Sequence, residues 1–346
     1  MHFATIDCGT TNSRVYLLDA SHRIVHKGVR KIGVRDTAIT GSRRTLQEGL
    51  ATLVQTTVRE AGLSLADIRF AIASGMITSE IGLQEIPHLW APAGLAELAE
   101  SLTVTRDPAV FPLHLPLLFI RGIKNPYPPD TTYQDIRRID FMRGEETQVM
   151  GLLRRPDIPR PPLTAVVLSS HTKYIHVRDD GRIAGSLTTL SGQVFEAIQQ
   201  ATSIGKSIAA EGEPDARDLA LAIDTACEAV RRAGFLRALL MPRFMEVLLK
   251  VPAGIRRAFV EAAIATEDLR ALEEFPLLGF PRNCPMLLIG SPSRCRVFRA
   301  LLTRTEAGGP AVAAISAEEA VDRLSIDGAI AIARQAGWLT RDRHAV

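Results

Sequence analysis

The chain has 346 residues, 46% of them hydrophobic and 23% charged, and its 41 basic and 38 acidic side chains give a net charge of +3. These values are typical of a globular protein with room for two domains. The scattered arginines, with few aromatic residues between them, argue against nucleic-acid binding. The four cysteines lack metal-ligand spacing, no signal peptide is visible and no apolar run could span a membrane, so we expect a cytoplasmic protein.

The N-terminal stretch predicts a strand, a tight polar turn and an antiparallel strand. An apolar run ends at Asp7, and Gly9, Thr10 and Thr11 lead into a second β-type run after Arg14. Gly9 admits a backbone conformation that a side chain would obstruct. The N–H groups and hydroxyls of the turn can therefore point into one concavity that suits a phosphate, with Asp7 holding a hydrated Mg²⁺ beside it. An ordinary β-hairpin with a polar turn is the alternative.

The next segment predicts a helix and a strand that ends in a loop of small residues. The pattern gives a strand from residue 24, a helix over 43–61 and a strand over 68–73. An open α/β sheet presents ligands where a strand runs into such a loop, so Thr78 and Ser79 are candidates to bind a polar substrate. A plain strand-to-helix turn explains these two residues equally well.

Residues 107–140 are rich in proline, which is excluded from helix interiors and central strands. We predict a buried strand near 117–120, a turn at Gly122 and a long exposed loop up to Asp140, followed by a helix that ends before Pro156. A loop of this length is usually functional or marks a domain boundary. We divide the chain into residues 1–145, for acceptor and phosphate binding, and residues 146–346, for nucleotide binding.

The second half repeats the layout of the first. An apolar run over 163–168 is followed by a polar turn at 169–173, an alternating run over 174–177, a turn at 179–181 and a third run over 182–187. Helices are predicted over 194–200, 215–233, 235–247 (broken or kinked at Pro242), 253–272, 294–302 and 325–337, with a strand over 286–289. The last helix is a candidate to pack back on the N-terminal domain.

Two such units predict two half-sheets that face one another across a cleft. A nucleotide polyphosphate would be held between their polar turns. Gly290 and Ser291 follow the predicted strand over 286–289 and precede a helix. Close backbone approach and a helix N-terminus at this point would suit the nucleoside.

The polar run from Arg143 to Gln148 carries the catalytic candidates. Adjacent carboxylates at a helix start can simply complement the helix dipole. Phosphoryl transfer to an alcohol, however, needs a carboxylate that accepts the hydroxyl proton and a cation that orients anionic groups. Glu145 is the candidate base because it follows Gly144 at the edge of the cleft, and Glu146 is the second choice. Arg143 suits a bidentate grip on a carboxylate or phosphate.

Five segments resemble motifs of the 2-dehydro-3-deoxygalactonokinase family, in the family's order. Residues 7–14 resemble D-W-G-[ST]-[ST]-N-x-R, residues 73–79 resemble A-x-G-M-[IV]-x-S, residues 142–148 match M-R-G-E-E-T-Q, residues 169–174 resemble G-T-H-x-K-W, and residues 289–291 are similar to A-G-[ST]. The resemblance implies the actin/hexokinase/Hsp70-type fold: a two-domain α/β protein in which a ribonuclease H-like βββαβαβα unit is duplicated around a cleft. It also implies ATP- and Mg²⁺-dependent transfer to the 6-hydroxyl of 2-dehydro-3-deoxy-D-galactonate, in galactonate catabolism.

Together, motif and resemblance define the predicted site. The catalytic candidates are Glu145, Glu146 and Asp7, with Asp7 also placing Mg²⁺ through water. The substrate-binding candidates are Arg143, Met76, Thr78, Ser79 and Gln148. The phosphate- and nucleotide-binding candidates are Gly9, Thr10, Thr11, Asn12, Arg14, Ser169, Ser170, His171, Lys173, Gly290 and Ser291.

Two alternatives stay open at the level of the sequence. The acceptor could be a related 2-keto-3-deoxy acid or another sugar, because one stereocentre leaves no trace in a sequence. The second alternative is a catalytically weak kinase fold that senses a sugar acid or nucleotide. It is favoured by Ser169, which stands at the family's glycine, and by Ala265, where a side chain would crowd the nucleoside. A homodimer is also left open.

Overall fold

The computed structural model describes residues 2–209, 212, 214–304 and 311–339. Its first half carries all six strands of one sheet and a small three-stranded satellite sheet. The elements in order are β1 (His2–Cys8), β2 (Ser13–Leu18), β3 (Ile24–Arg30), α1 (Val34–Thr40), α2 (Arg44–Glu60), β4 (Ile68–Gly75), β5 (Leu89–Trp90), α3 (Leu95–Glu100), β6 (Thr103–Thr105), β7 (Leu117–Phe119), β8 (Ile123–Lys124), β9 (Phe141–Met142) and α4 (Glu145–Leu152).

The second half carries another sheet and longer helices. Its elements are β10 (Leu163–Leu168), β11 (Thr172–Val177), β12 (Ile183–Thr189), α5 (Ser191–Ala201), α6 (Ala216–Ala233), α7 (Phe235–Val247), α8 (Ala253–Asp268), α9 (Phe275–Leu278), β13 (Met286–Gly290), α10 (Pro292–Leu302), β14 (Val312–Ile315) and α11 (Glu318–Gln335). None of the helices in the described ranges is long and apolar enough to cross a membrane.

The two large sheets repeat one topology. The first has the strand order β3-β2-β1-β4-β7-β6 and the second the order β12-β11-β10-β13-β14. In each, the first strand pairs antiparallel with the second and parallel with a later strand, β4 in one sheet and β13 in the other. Every residue of β10 is buried, as expected of a central strand covered on both faces. The duplicated βββ arrangement predicted from the turn pattern is confirmed.

Several predicted elements differ from those observed. The helix α7 continues through Pro242, so the predicted break at this residue was wrong. Helix α11 begins seven residues before residue 325, where its start was predicted. The first turns of α11 contain Glu318 and Glu319 and little apolar periodicity, which explains the late prediction. Helix α8 ends at Asp268 and continues as a 3-10 turn. The short elements α1, α3, β5, β6 and β14 were not predicted, because none has enough residues to show a period.

The proline-rich segment 122–140 is not a free loop. It contains β8 and a 3-10 turn over 133–138, and it is fixed to the second half of the chain. The Asn125 side-chain amide donates to the Ser186 carbonyl at 2.9 Å and accepts from the Ser186 N–H at 2.8 Å. Arg137 makes two bonds to the Glu274 carboxylate, at 2.7 and 3.0 Å. The segment therefore connects the two halves of the molecule through side-chain hydrogen bonds.

One hydrophobic cluster is shared by both halves. It contains Phe3 and Phe70 from the first sheet, Val167 and Ile289 from the second, and Ile330 from α11. Helices α4 and α11 cross at two glycines with no room for a side chain. A Cβ at Gly151 would lie 1.9 Å from the Leu324 carbonyl oxygen, and one at Gly328 would lie 1.8 Å from that of Thr147. The last helix thus lies directly on the helix that begins at Glu145.

Candidate active site

Three segments meet at the carboxyl ends of β1 and β4. Cys8 pairs with Gly75 across the two parallel strands, and Gly144, just before α4, abuts Gly75. Both glycines have positive φ, +90° and +110°, and a Cβ at Gly144 would lie 3.2 Å from the Gly75 Cα. Only glycine combines this conformation with so close an approach. The contact brings Glu145 into the neighbourhood of Asp7.

Asp7 lies at the end of β1 with 31% of its side chain exposed. Its Oδ2 is 3.3 Å from Arg14 Nη1, which is a long contact for an ion pair. Burial raises the pKa of the Asp7 carboxyl, and the Arg14 guanidinium partly opposes that rise. An accessible carboxylate with only one weak partner remains available to a cation.

Glu145 has the properties of a general base. Its Oε2 is buried, and no group in the described ranges hydrogen-bonds it. Burial raises the pKa of the Glu145 carboxyl and the nearby Asp7 adds to the rise, whereas Lys173 lowers it. A carboxylate that is poorly solvated and harder to ionise is a stronger proton acceptor.

Glu146 has a different role in the structure. Its side chain is fully buried and accepts the Gly144 N–H at 2.9 and 2.8 Å, while the Thr147 hydroxyl donates to Oε1 at 3.2 Å. Burial, and then the neighbouring Glu145 carboxylate, raise the pKa of Glu146 to about 7. Glu146 holds the first turn of α4 together, so the geometry favours Glu145 over Glu146 as the base. Gln148, on the same helix, keeps a buried Oε1 without a partner in the described part of the chain.

Arg143 is held by the loop after β4. Its Nη1 donates to Thr78 Oγ1 at 2.6 Å and its Nη2 to the Ile86 carbonyl at 3.0 Å. Thr78 is fully buried and Ser79 is 1% exposed, so Thr78 contacts Arg143 rather than the open cleft. The Ser79 hydroxyl has no partner among the described residues, and Met76 packs against the core below it. This loop therefore orients the guanidinium.

Backbone hydrogen bonds and close packing against the start of α1 hold the first polar turn in place. The Gly9 N–H donates to the Asn12 carbonyl at 3.0 Å, and Arg35 N–H donates to the Thr10 carbonyl at 2.9 Å. A Cβ at Gly33 would lie 2.4 Å from the Thr10 carbonyl oxygen, so the N-terminal residues of α1 pack directly against the turn. Thr10 and Asn12 are exposed and Thr11 is half-buried. The turn is rigid, and its hydroxyls face outward.

The second polar turn is equally tight. Ser169 N–H donates to the His171 carbonyl at 3.1 Å, and Gln193 N–H, in the first turn of α5, donates to the Ser170 carbonyl at 2.8 Å. A Cβ at Gly192 would lie 2.2 Å from the Ser169 carbonyl oxygen. Ser169 and Ser170 are exposed, beside the N-terminus of α5, an arrangement that suits an anion. Burial lowers the pKa of the half-buried His171.

Lys173 lies apart from the exposed face of this turn. It is 8% exposed, and its Nζ donates to the Phe141 carbonyl and to Thr188 Oγ1, both at 2.9 Å. The same Thr188 hydroxyl donates to Asp140 Oδ1 at 2.7 Å. Lys173 therefore connects the second sheet to the segment that precedes Arg143, and its phosphate-binding role stays a prediction.

A cavity of about 330 Å³ opens next to the second turn. Its lining includes Ser169, Ser170, Gly192, Phe195, Ala265, Ser291, Arg294 and Phe298. Gly290 lies beside it on β13, where a Cβ would come 2.6 Å from the Leu168 carbonyl oxygen. The methyl of Ala265 and the side chain of Ser169 line this space without filling it. The volume and the mixture of apolar and hydroxyl groups suit a nucleoside.

Arg294 is a site residue that the sequence did not reveal. Its guanidinium donates to the Ser169 carbonyl, to Thr172 Oγ1 at 3.1 Å and to Ser191 Oγ at 3.0 Å. It fixes the second turn from the side of α10. The signal available was a lone arginine four residues after Gly290, which spacing alone does not distinguish from a surface residue.

The residues at the cleft fit a magnesium ion. No group of three or more His, Cys, Asp or Glu side chains with metal-binding geometry occurs in the described ranges. Mg²⁺ bound with a nucleotide needs only one or two carboxylates, because phosphates and water complete its shell. Asp7, with a weakly bonded carboxylate, supplies an oxygen ligand of this kind.

Comparison with known proteins identifies the family. The sequence profile of 2-keto-3-deoxy-galactonokinase matches residues 7–324. A protein of Rhizobium meliloti (strain 1021) described as a 2-dehydro-3-deoxygalactonokinase is 26% identical over 208 residues, and the match spans 60% of this chain and 60% of that protein's length. The structure is similar to a Sinorhizobium meliloti crystal structure with the same description, with a TM-score of 0.70, 23% identity and coverage of 96% and 98%.

A more distant likeness shows the breadth of the fold. Component A of the (R)-2-hydroxyglutaryl-CoA dehydratase from Acidaminococcus fermentans superposes with a TM-score of 0.51 at 14% identity, over 97% of this chain and 99% of that one. The α/β fold is that of the actin-like ATPases, with two βββ-containing sheets. With 318 of its residues spanned by the family profile, the chain belongs to the 2-keto-3-deoxy-galactonokinase family.

Proposed function

We propose that the protein transfers the γ-phosphoryl group of ATP to the 6-hydroxyl of 2-dehydro-3-deoxy-D-galactonate, as a step of galactonate catabolism. The observation that carries this proposal is the position of Glu145, whose Oε2 lacks a partner in the described ranges beside Asp7. Family membership supports the reaction class. The cavity between Ser169 and Phe298 supports a nucleotide as the donor.

Each part of the site has a task in this reaction. The cavity receives the nucleoside, and the turns at Gly9 and Ser169 hold the phosphates. Arg143 binds the acid group of the acceptor. Glu145 accepts the hydroxyl proton as the sugar oxygen forms its bond to the γ-phosphorus and the bond to the β-phosphate oxygen breaks, releasing ADP. Mg²⁺, when bound through water at Asp7, neutralises charge on the phosphates.

An ADP-release assay across a panel of sugar acids tests the proposal. With ATP and Mg²⁺, we expect turnover to be stimulated by 2-dehydro-3-deoxy-D-galactonate and less by its gluconate epimer, over a blank without acid. Mass spectrometry of the product should place the phosphate on the 6-oxygen. If no 2-keto-3-deoxy acid stimulates ADP release, the substrate proposal is wrong.

Three further features stay predictions. These are the functional division into residues 1–145 and 146–346, a cytoplasmic location and a homodimer. The cleft would close on its two substrates and exclude water, so that the phosphoryl group reaches the sugar and not a water molecule.

A further inference from the structure

Four cations surround His88 at the acceptor end of the cleft. Burial is the largest cause of the lowered pKa of His88. The positive charges of Arg143, Lys124, Arg121 and Lys173 lower this pKa further, so all four lie close enough to act on the ring. Within the described ranges, none of the four forms an ion pair with a carboxylate. Glu80, Glu85 and Glu146 act on Arg143 without forming an ion pair with it in the described ranges, and a cluster of four cations that is offset only in part favours an anionic ligand.

The direct contacts described for three of these cations are with neutral groups. Arg121 donates to the Pro87 carbonyl at 2.7 Å, and Lys173 donates to a carbonyl and a hydroxyl. The Lys124 ammonium lies 3.6 Å from the centroid of the Trp90 ring, on the exposed side of the small sheet. All of these partners are neutral, so the field at His88 remains positive.

His88 is set up as a neutral hydrogen-bond donor. Its Nδ1 lies 3.5 Å from Arg143 Nη2, and because a guanidinium has no acceptor, Nδ1 must accept. The proton of the neutral ring is therefore on Nε2. The pKa of about 4 keeps the ring neutral at pH 7. The Nε2 atom is buried and has no partner among the described residues, which costs about 1–3 kcal/mol unless a ligand supplies one.

The His88 ring packs closely against Gly122 on one side and contacts an exposed aromatic ring on another. A Cβ at Gly122 would lie 2.7 Å from His88 Cδ2 and 2.8 Å from Arg143 Cγ, so the glycine lets both side chains lie against the backbone. On another side the Phe141 ring contacts His88 with 5.1 Å between centroids, and Phe141 is 54% exposed. The Phe141 ring is therefore a neighbour of His88 that lies towards solvent.

We propose that His88 donates its Nε2–H to the carboxylate of the acceptor, with Arg143 and Lys124 supplying the positive field, and thereby selects sugar acids over neutral sugars. The inference rests on the proposed function and adds a specificity-determining residue to it. A site with a buried donor rejects ligands that cannot satisfy that donor. His88 does not enter the phosphoryl-transfer step, so its removal should affect acceptor binding more than turnover.

The test compares His88→Ala with His114→Ala, an exposed histidine of the same half of the chain. Kinetics are measured with 2-dehydro-3-deoxy-D-galactonate and with its methyl ketone analogue, in which a methyl group that cannot accept a hydrogen bond replaces the carboxylate. We expect His88→Ala to raise the KM for the acid by about 10–100-fold, the effect of losing one hydrogen bond to a charged group. The kcat, the KM for ATP and the weak activity with the methyl ketone should change less than threefold. His88→Gln should recover part of the affinity, and His114→Ala should behave as the wild type.

A binding measurement separates this inference from the proposed function. Calorimetry with the acid alone, without ATP, should show loss of affinity in His88→Ala even if the wild type turned out to transfer no phosphate. Equal acid affinity in the wild type and His88→Ala would overturn the inference while leaving the kinase proposal standing. A parallel loss with the acid and the methyl ketone would also overturn it, because the carboxylate would not be the group recognised. A wild type that binds no sugar acid overturns both.

Discussion

The two carboxylates at the start of α4 are adjacent in sequence but lie in different surroundings. Glu146 accepts hydrogen bonds from its own helix turn, whereas Glu145 Oε2 has no partner in the described ranges. Two titratable groups with such different environments can divide structural and chemical tasks between them. The division can be tested residue by residue.

We expect Glu145→Gln to lower kcat by about 10²–10⁴-fold, the usual contribution of a general base, with the KM for ATP nearly unchanged. Glu146→Gln is the matched control, because its amide oxygen can still accept the Gly144 N–H. That variant should keep kcat within a few-fold of the wild type. Steady-state kinetics measure the kcat of both variants. A larger loss of kcat in Glu146→Gln than in Glu145→Gln would make Glu146 the base.

The raised pKa of Glu146 predicts a pH-dependent stability. A carboxyl whose pKa is about 7 in the folded protein and about 4.5 in the unfolded chain favours folding while it is protonated. Its contribution is complete below pH 4.5 and is lost as the pH rises through 7. We expect the free energy of unfolding of the wild type to fall relative to Glu146→Gln between pH 5 and pH 8. Urea titrations at four pH values measure the difference, and a constant difference would contradict the assignment.

At the scale of elements, the crossing of α4 and α11 couples α11 to the helix that begins with the proposed base. Gly151 and Gly328 let the two backbones touch, and α4 begins with Glu145. A side chain inserted at this crossing must push α4 away from α11. The displacement would be transmitted along α4, a helix of only eight residues, to its first turn.

Gly328→Ala is expected to destabilise the protein by about 1–3 kcal/mol, the typical cost of overpacking, although alanine is the better helix former. The kcat should fall as well, because Glu145 moves with α4. Gly254→Ala is the matched control, since a Cβ there meets its nearest atoms at 3.7 Å, an ordinary contact. Thermal unfolding and kcat together test the coupling. If Gly328→Ala were as stable as Gly254→Ala, the crossing would not be tight.

Sequence patterns predicted elements well where several residues repeat a period, and poorly elsewhere. Helix α2 and strand β10 were located to within a residue or so because their apolar spacing is regular. The duplicated turns were also visible, since glycine and hydroxyl residues mark both. The contacts of His88 and Arg294 were not, because they join segments separated by 55 and up to 125 positions. Such pairings depend on tertiary packing, which leaves no local spacing to detect.

At the scale of the whole molecule, both sheets and the terminal helix share one apolar cluster. Trp338, beyond α11, contacts Phe70 of the first sheet with 5.4 Å between ring centroids. The segment 122–140 adds polar bonds between the halves through Asn125 and Arg137. A division of function between two domains is compatible with this arrangement, but independent folding of the first is not expected.

A fragment of residues 1–145 should therefore lack a cooperative unfolding transition. It would expose the apolar surface that Val167, Ile289 and Ile330 cover in the full chain. Urea denaturation followed by circular dichroism measures this, with the intact chain as the control. Addition of residues 146–346 in trans should restore a transition. A sharp unfolding curve for the isolated fragment would show that its core is self-sufficient.

The return of α11 to α4 also has a consequence for synthesis on the ribosome. Domains that fold as units can form as the chain emerges, N-terminal part first. Here the helix that carries Glu145 has to wait for Gly328, more than 180 positions later, before it can dock. A chain interrupted before residue 318 would lack α11 altogether and could not form this packing. We therefore expect truncated chains without α11 to lack the packing that positions Glu145.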